Sequence, residues 1–186
     1  SKRIAAWNGL ALSALVKGVH AAENKKHYLQ AAMAIKKDLM QRHWNGNQLA
    51  RIVGKQGRLG HAGLEDYAYV ARGLLDFARL TGDKRDWQDV SRIINQAWQR
   101  FYKQNGWLLA EYMLLRYGAG QAAIADGPMP SASGMLIQST LVLVKHQPDS
   151  RLKQQALLAL SSGHRQIQQE PFWYASHIGQ ILSTSP

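Results

Sequence analysis

The 186-residue chain is the size of one domain, and 46% hydrophobic with 9% aromatic residues is ample for a packed core and argues against disorder. It contains no cysteine, which excludes disulfides, thiolate metal sites and thiol nucleophiles, so any chemistry must run on carboxylate, imidazole, hydroxyl or amine groups. A formal charge of +11 and a pI near 10.1 would suit polyanions, but the basic residues, from Lys25 and Lys26 through Lys36, Arg51 and Arg58 to Arg92 and Arg100, are spread along the chain without interleaved aromatics, a solvated surface rather than a nucleic-acid groove.

No apolar run approaches the roughly 20 residues that cross a bilayer, and the opening residues lack the pattern of a secretion signal, so no membrane partner is expected. A lack of cysteine suits either redox environment; a cytoplasmic protein is the expectation.

In chain order, the first predicted helix, 3–22, is apolar nearly all round, with Ile4, Trp7, Leu10, Leu12, Leu15, Val16 and Val19. The second, 25–42, carries one stripe, Tyr28, Ala32, Ile35 and Leu39. Next come Asn45-Gly46 and Leu49-Ala50, a tight-turn signal that predicts a small β-hairpin or extended loop. Helix 64–80 is again apolar on most sides, and Thr81-Gly82-Asp83 turns the chain into helix 84–102, with the stripe Trp87, Val90, Ile94, Ala97 and Phe101. A second Asn105-Gly106…Leu109-Ala110 segment repeats the loop signal, followed by helix 131–145, the turn Gln147-Pro148-Asp149, helix 150–165 and a short helix at 172–182. Asp83 and Asp149 (or Ser150) are placed to cap the helices that follow them.

Helices apolar all round are buried on most sides; helices with one stripe lie outside them. Their alternation predicts an all-α fold of stacked antiparallel αα-hairpins, inner helices alternating with outer ones, with short β-hairpin-like loops and a single domain over 1–186.

Three segments at the starts of inner helices then carry a family likeness: Lys2 with Trp7-Asn8-Gly9-Leu10; Leu64-Glu65-Asp66-Tyr67-Ala68 followed by Gly73-Leu74-Leu75 and Thr81-Gly82-Asp83; and Asp126-Gly127 with Pro130-Ser131. In order and spacing the chain resembles the thioredoxin-domain-containing YyaL and spermatogenesis-associated (DUF255-type) proteins. That resemblance implies the C-terminal portion of an α/α toroid similar to N-acylglucosamine 2-epimerases and six-hairpin glycosidases, with the family's N-terminal thioredoxin-like domain absent from this chain and acting as a partner in the whole protein. The chain departs from the family pattern at Ala132-Ser133-Gly134, where Gly-Asn-Ser is usual, so that a hydroxyl at Ser133 stands in for an amide. The Gly118-Ala119-Gly120 approach to Asp126 suggests a reshaped rim loop.

In an α/α toroid the inner helices direct one set of ends at a common mouth, where these landmarks can converge. Trp7 would offer a flat face to a sugar ring, although a large aromatic on an apolar helix more often packs in the core. Asn8 and Tyr67 would bond hydroxyls, joined by Ser131 and Ser133. Glu65, Asp66 and Asp126 would supply carboxylates for recognition or proton transfer, and a carboxylate pair roughly 5–10 Å apart would permit glycosidase chemistry. All three lie near helix starts, where capping and the dipole favour a carboxylate regardless of ligand. For Glu65 that is the expected explanation; Asp66 and Asp126, set among apolar and small residues, are the stronger catalytic candidates.

Epimerases of the related fold use histidines, and His61, just ahead of the third helix, is the candidate that could reach the mouth, whereas His20, His27, His43, His146, His164 and His177 fall on outer helices, turns or the tail. No His-x-x-x-His pair suggests a metal, no Gly-x-Ser-x-Gly elbow suggests a hydrolase serine, and no cofactor is expected. The sequence thus leaves open a toroid that binds a small polar ligand such as a sugar, with or without catalysis, a noncatalytic interaction scaffold beside a thioredoxin-like domain, and basic-surface binding to nucleic acid.

Overall fold

The computed structural model describes residues 2–104, 106–111 and 120–184. Asn105, Gly118 and Ala119 of the loop segments above lie outside them.

The architecture is all-α. A two-residue strand, β1 (Arg3–Ile4), leads into helix α1 (Ala5–Ala21), and α2 (Lys25–Asp38) returns antiparallel to it, closing in a π-helical turn at Leu39–His43. The hairpin β2 (Ala50–Gly54) and β3 (Gly57–His61) precedes α3 (Leu64–Thr81) and α4 (Lys84–Phe101). A minimal pair, β4 (Tyr102–Lys103) and β5 (Gly106–Trp107), and a loop lead to α5 (Ala132–His146) and α6 (Ser150–Ser162). The chain ends with α7 (His164–Gln169), a 3-10 turn at Pro171–Tyr174, and α8 (Ala175–Thr184). Helices α1, α3 and α5 pack side by side as an inner row, each against its own hairpin partner α2, α4 or α6.

The caps follow local chemistry. The Asp83 carboxylate accepts from the Arg85 N–H at 2.7 Å, and Asp149 from the Leu152 N–H at 2.9 Å, satisfying donors that a helix start leaves unpaired. Gly82 ends α3 at φ +67°, a left-handed conformation that costs glycine nothing. The predicted helix over 150–165 breaks at Gly163 into α6 and α7.

The inner row is held by glycine contact and by a polar network. A Cβ on Gly9 would sit 2.4 Å from the Tyr69 carbonyl oxygen, and one on Gly73 would sit 2.3 Å from that of Gly9. The backbones of α1 and α3 therefore touch, which no larger residue would permit. Lower down, the Ser13 hydroxyl donates to Asp76, Asp76 pairs with Arg72 at 2.9 Å, and Arg72 reaches Gln138 of α5 at 2.6 Å, a chain across all three inner helices. The outer row has its own tie, with the Lys36 ammonium 2.7 Å from Asp86 and 3.0 Å from Asp89.

One expectation is corrected: α1 is less enclosed than its composition predicts. Among the described residues it packs mainly against α3 and α2, and Trp7, Ala14 and Lys17 are exposed. Asn45-Gly46 forms the tight loop its signal predicts, in which the Asn45 side chain accepts from the N–H groups of Asn47 and Gln48. The small β-hairpin expected in this connection follows it, its five-residue strands reversing at Lys55-Gln56, between Gly54 and Gly57, where the two-residue spacing of a hairpin is met.

Candidate functional site

The leading ends of α1, α3 and α5 lie at one end of the molecule. The Asp66 carboxylate bridges the first two, accepting from the Ala6 N–H at 3.2 Å and the Gly63 N–H at 3.0 Å. The Tyr69 hydroxyl of α3 donates to the Pro130 carbonyl just before α5, at 2.7 Å, and burial pushes its pKa up to about 12, so it stays a protonated donor. The strands β1 and β2 run antiparallel beside this end, Ile4 opposite Ile52.

Between α3 and α5 these ties leave a cleft of about 600 Å³, of a size that suits a small ligand. Arg51 of β2, Glu65 and Asp66 of α3, Leu109, the segment Ile124 to Pro130 without Asp126, and Ser131 are among its walls. Glu65 and Arg51 are exposed, and neither is in a salt bridge among the described residues, so an open carboxylate and an open guanidinium share the walls. Together they present hydrogen-bond acceptors and donors over an apolar floor, the composition expected of a site for a polar molecule with apolar faces.

The predicted residues divide sharply on this frame. Glu65, Asp66 and Ser131 line the cleft. Trp7 does not pack in the core: it is 71% exposed, one residue past the Ala6 N–H that Asp66 holds. Asn8 bonds its own helix, donating to the Ile4 carbonyl at 2.9 Å. Tyr67 is fully buried, its hydroxyl accepting from the Leu49 N–H at 2.9 Å and its ring edge-on to Phe101. His61 lies on the exposed β3, its Nδ1 2.7 Å from the Gln48 amide, beside a separate shallow depression with Asn45 and Arg58.

Asp66 is 2% exposed. Burial raises its pKa, opposed by the two N–H groups it accepts from and by the charge of Arg51. Asp126 turns away from the cleft. Its carboxylate accepts from the Ser131 N–H at 2.7 Å, from the Ser176 N–H at 2.9 Å and from the Ser176 hydroxyl; these bonds outweigh partial burial and hold its pKa below the ordinary carboxylate value. Both carboxylates join helix starts to neighbouring segments.

Ser133 is buried, accepting from the Ile124 N–H at 3.0 Å, with its hydroxyl 3.0 Å from His177 Nε2. A serine beside a histidine near an aspartate invites a nucleophilic reading, but His177 is 1% exposed and its Nδ1 has no hydrogen-bond partner among the described residues. A nucleophile needs access and a base oriented by a third group, and this pair has neither. Desolvation lowers the His177 pKa to about 4 against a raising effect of Asp126, so the imidazole is neutral near pH 7.

Sequence reasoning missed Arg51 and Tyr69. Tyr69 could have been noticed as a second aromatic two residues after Tyr67; Arg51, on a short strand among other dispersed cations, gave no signal. Among the described residues no group of three or more histidine, aspartate or glutamate side chains is arranged to hold a metal ion, and no helix is long and apolar enough to cross a membrane.

The fold is that of the α/α toroids. It is similar to a cellobiose 2-epimerase from Bacillus thermoamylovorans, with a TM-score of 0.68 and 10% identity over 88% of this chain and 45% of that one. It is also similar to a sugar epimerase from a ruminal bacterium, with a TM-score of 0.66, 14% identity, and 88% and 44% of the chains covered. A cellobiose 2-epimerase from Spirochaeta thermophila aligns with a TM-score of 0.66 and 12% identity, over 88% and 43%. The chain thus spans less than half the length of each of these structures. No protein-family model and no curated protein matches the sequence.

Proposed function

We propose that this chain is the C-terminal part of a carbohydrate-type α/α toroid in a YyaL-like protein, and that it binds a sugar or similar polar ligand in the cleft between the leading ends of α3 and α5. The observation that carries this is that Glu65 and Arg51, neither in a salt bridge among the described residues, line one cleft over an apolar floor. The carboxylate and guanidinium supply directional bonds to hydroxyls, and the apolar floor a surface for the ring. The cellobiose and sugar epimerases of the same fold make cellobiose the natural first probe.

Within this proposal Glu65 is the carboxylate free to contact ligand, with Ser131 a wall residue. Asp66 and Asp126 act as positioning residues that hold the helix starts; a catalytic role would require releasing bonds already made. His61, Asn8, Tyr67 and Ser133 belong to the surroundings. Titration of cellobiose against intrinsic tryptophan fluorescence tests the proposal. A saturable change, lost in a folded Glu65→Gln or Arg51→Gln variant, is expected; silence across a broad panel of sugars would sink it.

The scaffold alternative has one observation in its favour: the two carboxylates best suited by sequence to proton transfer are both engaged in backbone hydrogen bonds. On that alternative the toroid presents partners to a thioredoxin-like domain. Binding of that domain with no response to any sugar would select it.

A further inference from the structure

The 3-10 turn before α8 carries two consecutive open aromatics, Phe172 at 82% exposure and Trp173 at 51%. Their rings meet edge to face, centroids 5.5 Å apart and planes at 84°, so the faces of the pair are not stacked on each other. The turn is pinned to the rim of the cleft: the Asp126 N–H donates to the Trp173 carbonyl at 2.7 Å, while the Asp126 carboxylate holds Ser176. Residues on both sides of Asp126, Ala125 and Gly127, line the cleft, as does Met129 at its lip. One loop therefore has the cleft on one side and the aromatic turn on the other.

We infer that the Phe172–Trp173 turn is a second saccharide-stacking subsite, reached across the 125–130 loop, and that the ligand is an oligosaccharide longer than the cleft alone accommodates. The inference rests on the cleft being a sugar site. An aromatic ring pre-fixed by its backbone loses little freedom on binding, and the C–H face of a pyranose covers one ring while its hydroxyls stay in water. The two side chains expose on the order of 300 Å² together, from their usual areas, well short of the roughly 800 Å² per partner that a stable protein interface buries. A sugar unit matches that patch where a second copy of the chain does not.

Isothermal titration calorimetry of the protein with glucose, cellobiose and cellohexaose tests the inference, using wild type and the Phe172→Ala/Trp173→Ala double variant. In wild type, affinity rises about tenfold from cellobiose to cellohexaose, the worth of roughly one well-stacked ring. In the double variant the rise disappears while cellobiose binds as before, and Trp173→Phe restores part of it. A rise that survives in the double variant, or is missing from wild type while cellobiose still binds, overturns the subsite and leaves the cleft standing. Binding of cellohexaose that depends on Phe172 and Trp173, with no cellobiose binding and no effect of Glu65→Gln, overturns the cleft and supports the aromatic turn. No binding of any of the three overturns both, and self-association lost in the double variant would assign the turn to a second copy instead.

Discussion

Two junctions of the molecule solve the same problem with a carboxylate and end in opposite electrostatic states. At the α1–α3 junction Asp66 is buried and accepts two backbone N–H groups; its desolvation exceeds what those bonds return, and its pKa rises. At the α5–α8 junction Asp126 is half-buried and accepts from two N–H groups and a hydroxyl; here the bonds exceed the desolvation, and its pKa falls. Beside Asp126 sits the neutral, buried His177, while Asp66 feels the charges of Arg51 and of the buried His43. The lesson is that a clamp's response to acid is set by its burial and donor count, not by its residue type.

The largest effect is expected from removing the first clamp. Asp66→Ala leaves two buried N–H donors without a partner, and should cost about 4 kcal/mol, a fall in melting temperature of about 8–16 °C for a chain of this size, measurable by calorimetry. A loss below about 1 kcal/mol would show that water replaces the carboxylate there.

Acid should separate the two junctions. The folded pKa of His177 lies below its ordinary 6.5, at about 4, so the unfolded chain binds the proton more tightly. Stability from this group is complete above about pH 6.5 and declines as pH falls toward 4, by up to about 3 kcal/mol. Asp126 adds a decline in the same direction below its ordinary value near 3.8. Asp66 has the opposite sign: its raised pKa makes stability greatest when it is protonated and lost as pH rises through that pKa. Hydrogen exchange followed from pH 7 to 4 should therefore show α8 loosening before α1, and His177→Gln should flatten that dependence. Loosening of α1 first would reverse the comparison.

Asp126→Ala is expected to cost less than Asp66→Ala, about 2 kcal/mol, because Ser176, which supplies two of its three donors, is only half-buried, whereas Ala6 and Gly63 at Asp66 are both buried. The loss should concentrate in residues 175–184 in an exchange experiment, and protection there equal to wild type would mean that Ser133 and His177 hold α8 unaided. Smallest in stability is the pair in the cleft wall: Glu65→Gln and Arg51→Gln, both at exposed positions, should each change stability by no more than about 0.5 kcal/mol while abolishing the fluorescence response to cellobiose. Loss of folding in either would mark it as structural.

The site was only partly legible beforehand, for a reason these residues make plain. A carboxylate among apolar and small neighbours reads from sequence as a functional candidate at Asp66 and Asp126; in the structure each also closes backbone donors at a helix start. Glu65, the residue assigned to capping, is the one left open in the cleft. Trp7 reads as core by composition, yet its side chain is exposed.

What the chain determined by itself was the order of helices, their caps and the alternation of enclosed and one-striped faces, because periodicity, turn chemistry and capping act over a few residues. Asp83, Gly82 and Asp149 do in the fold what their spacing says they will. What only the tertiary structure decided was which side of each inner helix faces a neighbour, the cleft or water. That depends on contacts such as Gly9 against Gly73 and Asp126 with Ser176, between residues 50 or more positions apart, and no local pattern encodes whether a buried acid ends up facing a backbone N–H or a ligand.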